Sequence, residues 1–325
     1  MSCAALRELR GIFPNASITL ASPAGTADIF LDTPFADHVL IQKPGLLSTF
    51  KNARVWRRRR FDLALLFQNA FAAASTARLA GIRLRVGYDT DHRGPLLSTA
   101  IPSPAWKDER HESFYYLNIV AELERLLLGT SSLAEIKPRP ELFVSDERKA
   151  AARGALEKAG AQLRKPLVII CPGSVNSRAK RWPAERYGQL VDRLAEAGMD
   201  VVLIGSPGEL RVSMDVSSRA KSAPILLTGK TTVAEAVAII SVGDLLITND
   251  TGPAHLGAAL GTPTLVIFGP TNPLTTYPLS STAEIIRRPP DCAPCMLRDC
   301  PIDHRCMTAI SPEHVFDRAV TMVRT

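Results

Sequence analysis

What most constrains the fold is an alternation, over residues 167–268, of short apolar runs with amphipathic runs of helix length. The apolar runs fall at 167–170, 201–204, 224–227, 245–247 and 264–268, and Gly, Pro or Asp bounds them. Strands that are apolar throughout have no solvent-facing side, which means a parallel sheet covered by helices on both faces. The helices between them have readable ends. Pro183 opens one that closes at Gly198, Thr232 and Glu235 form a capping box for the next, and Pro253 opens a third that ends at Gly261. The expected class is α/β, with a doubly wound sheet in this half.

The first half repeats the style less regularly. Helices are expected at 2–13, 70–79 and 109–128, and strands at 17–21, 38–41, 62–67 and 84–87. The stretch Lys137-Pro138-Arg139-Pro140, continued to 145, reads as a linker. A chain of 325 residues accommodates about two domains. The expected division is 1–145, 146–310, and a closing helix at 311–325 that packs back on the first domain, with Ser311 as its N-cap and Pro312 at its first position. A parallel α/β domain ordinarily opens on a strand, whereas this chain opens in a helix. Either the first domain is unusual, or a first strand and loop of about 10 to 20 residues precede Met1.

Composition narrows the class further. With 46% hydrophobic and 22% charged residues the chain is neither disordered nor coiled coil. Its longest mostly apolar stretch, 63–74, is broken by Gln68 and Asn69 and falls short of the roughly 20 residues of a spanning helix. The N-terminus mixes acids and bases where a secretory signal would have a basic start and an apolar run, so a cytoplasmic location is expected. The net charge of +7 is unevenly spread: no acid lies between Asp37 and Asp62, a span that holds Lys43, Lys51, Arg54, Arg57, Arg58, Arg59 and Arg60. Such a run is either a solvated face or loop, or a contact for anionic lipid headgroups or a polyanionic substrate. Nucleic acid is disfavoured, because no stacking platform or zinc-finger spacing accompanies it.

Two motifs carry chemistry. Cys171-Pro172-Gly173-Ser174-Val175-Asn176-Ser177-Arg178-Ala179-Lys180-Arg181-Trp182-Pro183 follows the first strand of the second half and empties into a helix N-terminus. Small hydroxyl and amide residues with three cations suit a phosphate, although the Walker spacing is absent. Lys180 is the expected phosphate contact. Thr248-Asn249-Asp250-Thr251-Gly252-Pro253-Ala254-His255 also joins a strand end to a helix start, where the N–H groups of Thr251 and Gly252 suit a diphosphate. Asp250 would repel a phosphate and is better placed to accept from sugar hydroxyls. His255 reads either as part of this constellation or as a core histidine. Glu209 is a ribose ligand or a surface cap, and Gly229 to Thr231 form a neighbouring loop. The absence of GxGxxG argues against a dinucleotide oxidoreductase.

Residues 172–183, residues 249–255 with their continuation to Thr271, and residues 57–94 resemble the lipopolysaccharide heptosyltransferases, most closely the heptosyltransferase II type. That resemblance implies a glycosyltransferase-B fold with two Rossmann-like domains facing a cleft. It implies a donor, ADP-L-glycero-β-D-manno-heptose, in the second domain and a heptosyl-Kdo-lipid A acceptor in the first. Carried over by position, Ser174 and Lys180 meet the donor phosphates, and Asp250, Thr251, Gly252 and His255 surround the diphosphate and heptose. Gly229 and Thr231 lie by the adenosine, and Arg57, Arg58, Arg59 and Arg60 face the acidic acceptor at the cytoplasmic face of the inner membrane. No metal or other cofactor is implied for catalysis. The family's general base, an Asp in a Gly-Asp loop after the first strand, would lie upstream of Met1, so the catalytic residue is unassigned. A non-catalytic ADP-sugar-binding homologue and a transferase using another nucleotide sugar are the alternative readings.

Cys292, Cys295, Cys300 and Cys306 form a C-x2-C-x4-C-x5-C cluster around His304. The spacing matches no common zinc ribbon and leaves three states open: a structural metal such as zinc, free thiols, or disulfides. The resemblance includes similar Cys-rich segments in the heptosyltransferase II type. Cys3 and Cys171 read as buried small residues.

Overall fold

A computed structural model describes residues 1–133 and 136–324. It divides into two compact units, Met1–Arg139 and Pro140–Thr325. The division falls a few residues before the expected one. The Leu142 N–H donates to Ala259 O at 2.8 Å, and Leu142 and Val144 are buried, so residues read as linker already belong to the second unit.

The first unit runs α1 (Cys3–Ile12), β1 (Thr19–Ser22), α2 (Ala24–Ala27), β2 (His38–Ile41), α3 (Leu46–Arg59), β3 (Leu63–Leu66), α4 (Phe71–Leu79), β4 (Leu84–Tyr88), β5 (Thr99–Ile101) and α5 (Glu112–Leu128). Its strands form two parallel sheets, β1-β2 and β3-β4-β5. On one side, Ala5 and Leu9 of α1 and Leu117, Val120 and Ala121 of α5 pack with Val86 and Tyr88. On the other, Ala53 and Trp56 of α3 and Ala74 and Ala77 of α4 pack with Ala64 and Leu66. The basic run is therefore a helix with a buried stripe, Thr49, Ala53 and Trp56, and not a loop.

The second unit runs α6 (Asp146–Lys158), β6 (Leu167–Cys171), α7 (Ala184–Glu196), β7 (Asp200–Leu203), α8 (Leu210–Arg219), β8 (Ile225–Leu226), α9 (Val233–Val242), β9 (Leu245–Asn249), α10 (Gly252–Leu260), β10 (Thr264–Phe268), α11 (Pro273–Thr276), β11 (Ala283–Arg287), α12 (Arg305–Thr308) and α13 (Pro312–Arg324). All six strands pair in parallel in the order β11-β10-β9-β6-β7-β8. β6, β9 and β10 are buried along their whole length, as their unbroken apolar runs require. The expected caps form: the Glu235 N–H donates to Thr232 Oγ1 at 3.2 Å, and the Thr232 N–H donates to Glu235 Oε2 at 2.7 Å. Gly261 closes α10 with φ +74°, a left-handed conformation that glycine adopts without a Cβ penalty. The His314 N–H donates to Ser311 Oγ at 3.2 Å, capping α13. That helix is part of the second unit, with Val315 and Ala319 buried in its core beside Val168, Leu190 and Leu245.

The strand order reverses between β6 and β9. In an open α/β sheet, ligands bind outside the carboxyl ends of the strands at such a switch point.

Candidate functional site

Both motifs leave the sheet at that point, and Asn249 stitches them together. Its side chain is fully buried at the end of β9, where Nδ2 donates to Pro172 O (2.8 Å) and Gly173 O (3.2 Å). Its Oδ1 accepts from the Trp182 N–H (3.1 Å) and the Tyr187 hydroxyl (3.0 Å). One amide thus uses both donors and both lone pairs to fix the chain on either side of the 174–181 loop. Trp182 meets Tyr187 edge to face at 4.8 Å and donates from Nε1 to Ile310 O at 3.1 Å, anchoring the end of that loop in the core.

Ser174, Lys180, Glu209, Asp250, Thr251 and Gly252 are among the residues lining one cavity of about 330 Å³ in this unit. Asp250 is 2% exposed, and its Oδ2 accepts from Lys180 Nζ (2.9 Å) and from the Thr271 hydroxyl (2.5 Å). Lys180 Nζ also donates to Asp250 O at 3.1 Å. The lysine expected on a phosphate and the aspartate expected on a sugar are thus each other's partners. Thr271, which holds the aspartate from the β10 side, carried no signal of its own in the sequence. α10 begins beside the pair with no side-chain cap at Thr251, and its first residues line the cavity, so the positive end of the helix borders it.

Glu209 forms the cap that was one of its two readings. Its Oε2 accepts from the Ser206 N–H (2.8 Å) and hydroxyl (2.7 Å), which makes it a cap. Its Oε1 lies over Gly173, where a Cβ would stand 2.2 Å away. A side chain at this position would have to displace the carboxylate. Cys171 also lines the cavity, and burial, reinforced by the Glu209 carboxylate, pushes its thiol well above the ordinary range, so it is no nucleophile at neutral pH.

Other expected residues lie elsewhere. Gly229 and Thr231 are not among the cavity's lining residues. Gly229, at φ +74°, donates its N–H to Gly205 O at 2.9 Å and fixes the neighbouring turn. His255 sits half-buried one turn into α10, also outside the lining. Arg57, Arg58 and Arg59 are exposed in the last turn of α3, with Arg60 at its C-cap, in the first unit.

The Cys-rich segment braces the 174–181 loop. Arg298 O accepts from the Ala179 N–H (2.9 Å) and the Ser177 hydroxyl (3.2 Å), Arg178 pairs with Asp299 at 2.6 Å, and His304 Nε2 lies 2.6 Å from Ala179 O. His304 reaches this position in a left-handed backbone conformation, φ +58°. None of the six cysteines is in a disulfide. Among the described residues, no three His, Cys, Asp or Glu side chains gather as a group that could hold a metal ion. Cys292 is exposed, whereas Cys306 is buried and its thiol is pushed up to about 11, chiefly by burial and secondarily by the neighbouring Cys295, Cys300 and Cys292. Maleimide at neutral pH is therefore expected to modify Cys292 first and to spare Cys306, Cys171 and Cys3. Peptide mass spectrometry reads this directly. Protection of all four segment cysteines, released by a chelator, would show instead that they hold a metal.

A lysine beside an uncapped helix N-terminus at the switch point of a doubly wound domain is the combination that favours anionic groups in such folds. Comparison with known proteins identifies the class. The pattern of glycosyltransferase family 9 (heptosyltransferase) matches residues 49–305. The chain belongs to this family and is a glycosyltransferase. Lipopolysaccharide heptosyltransferase 2 of Salmonella typhimurium is 29% identical over 305 residues, covering 88% of this chain and 84% of the relative. The enzyme of the same name from Escherichia coli is 28% identical over 306 residues, with the same coverage. Among solved structures, E. coli ADP-heptose LPS heptosyltransferase II superposes with a TM-score of 0.85 at 24% identity, covering 99% of this chain and 94% of that one. E. coli heptosyltransferase WaaC with ADP-2-deoxy-2-fluoro heptose superposes with a TM-score of 0.67 at 15% identity, covering 98% and 94%. These likenesses bear out the glycosyltransferase-B fold.

Proposed function

We propose that this chain transfers heptose from ADP-L-glycero-β-D-manno-heptose to the inner-core heptose of a heptosyl-Kdo-lipid A acceptor, with inversion at the anomeric carbon. The observation that carries the reading is the Lys180–Asp250 pair beside the N-terminus of α10 in a single cavity at the switch point. The relatives named lipopolysaccharide heptosyltransferase 2 support the choice of sugar and acceptor, and the neighbour solved with an ADP-heptose analogue supports the donor.

In this reading the donor diphosphate lies across the Gly252 N–H and Lys180. As the acceptor hydroxyl attacks the anomeric carbon and the bond to ADP breaks, negative charge grows on the diphosphate where a cation and a helix dipole already point. Asp250 holds Lys180 in place and accepts from heptose hydroxyls. The Ser174 hydroxyl joins the phosphate contacts, His255 supports the first turn of α10, and Glu209 Oε1 accepts from ribose. Gly229 and Thr231 border the adenosine. The reaction as written needs no metal. Inverting displacement also needs a base on the attacking hydroxyl, and no residue of this cavity is assigned that role. Arg57, Arg58, Arg59 and Arg60 attract the anionic acceptor, and the enzyme works as a peripheral protein at the cytoplasmic face of the inner membrane. No helix among the described residues is long and apolar enough to cross a membrane.

The test is incubation of the purified chain with ADP-heptose and heptosyl-Kdo-lipid A, followed by mass spectrometry of the lipid and assay of released ADP. One added heptose per ADP released is expected, with none from a UDP-hexose. ADP-heptose binding with no transfer would overturn the catalytic part of the proposal and leave a donor-binding protein.

A further inference from the structure

The start of α3 leaves its largest apolar side chains in solvent. Leu46 and Leu47 are 79% and 78% exposed and Phe50 is 58% exposed, whereas the helix buries only Thr49, Ala53 and Trp56. Isolated exposed leucines need no explanation, but three large side chains within the first five residues of one helix form a patch. The charged residues beyond this patch are uniform in sign: Lys51, Arg54, Arg57, Arg58 and Arg59 are all exposed, and no acid lies between Asp37 and Asp62. The two characters separate along the helix, with an apolar tip and a cationic shaft. From Leu47 to Arg58 the axis runs roughly 16 Å at 1.5 Å per residue.

We infer that the tip of α3 inserts into the acyl boundary of an anionic phospholipid bilayer while the shaft lies over the headgroups. Charge complementarity selects this occupant. A protein interface of comparable size has a core depleted in charge and a rim of both signs, whereas cations of one sign flanking an apolar wedge match lipid headgroups above acyl chains. Anionic headgroups attract each cation by about 1 kcal/mol, and the tip supplies the apolar area that makes such attraction a stable anchor. This rests on the membrane-surface part of the function proposed above and adds to it the part of the chain that enters the lipid.

Vesicle co-sedimentation of the full chain tests it. The tip variant Leu46→Ser/Leu47→Ser/Phe50→Ser is expected to lose at least about tenfold in affinity for phosphatidylglycerol-containing vesicles, with a near-normal thermal midpoint because all three side chains are mostly exposed. The shaft variant Lys51→Gln/Arg54→Gln is expected to lose about fivefold per cation. In Phe50→Trp, brominated acyl chains should quench fluorescence beyond that of the three native tryptophans. If the shaft variant loses affinity while the tip variant does not, or if Trp quenching is absent, insertion of the tip is overturned and the surface contact stands. If neither variant loses affinity, the surface contact itself is wrong.

Discussion

Lys180→Ala and Asp250→Asn are each expected to lower the transfer rate by about 10²–10³-fold, the usual cost of removing one preorganised electrostatic group from the site of developing charge. Asp250→Asn keeps the shape of a side chain that is 2% exposed, so a fall in activity reports charge and not packing. An amide oxygen can still accept from Lys180 and from Thr271, so what those two partners lose is the carboxylate's charge. Because the proposed role of Lys180 is strongest on the leaving diphosphate, kcat and kcat/KM should fall together. The double variant should be little worse than either single one, since the two groups act as a unit. Steady-state kinetics on variants with near-normal thermal midpoints makes the comparison. Activity within about threefold of wild type in either single variant, against that loss, would remove the pair from the mechanism.

Asn249→Ala should have the largest effect on stability, roughly 3–5 kcal/mol, because it strands four buried partners at once. Pro172 O and Gly173 O lose their donor, and the Trp182 N–H and Tyr187 hydroxyl lose their acceptor. No water-accessible alternative is at hand for a residue with no exposed surface. The thermal midpoint of the second unit should fall by about 10 °C. Calorimetry of the full chain checks it, and a loss below about 1 kcal/mol would mean that the carbonyls find other partners.

The second unit was largely legible in the sequence, for a physical reason. Strands such as β6 and β10 are buried on both faces, so their sequences are unbroken apolar runs, and capping residues such as Thr232, Gly261 and Ser311 act locally. α3 was not legible as a helix, because it buries only three residues and is otherwise dominated by cations and an apolar tip with no core to face. α6 was missed for a similar reason: Ala152 and Leu156 are its only buried residues.

The site divides along the same line. Lys180, Asp250, Thr251 and Gly252 lie in two short motifs whose chemistry can be read in place. Their pairing could not be read, because Lys180 and Asp250 are 70 residues apart and only the β6–β9 neighbourhood joins them. The brace from Arg298, Asp299 and His304 was hidden for the same reason, and the cysteines around it draw the reading to thiol or metal chemistry instead. His255 stands out by its place in the second motif and Gly229 by its loop after a neighbouring strand, and neither is among the residues that line the cavity.

The central claim is that this cavity seats the donor's diphosphate. Calorimetric titration of ADP into the wild-type chain and into Lys180→Ala tests it most directly. Saturable binding to the wild type, at least about tenfold weaker in the variant as expected for loss of a charge-assisted phosphate contact, is the predicted result. Equal affinity in the two proteins would contradict it.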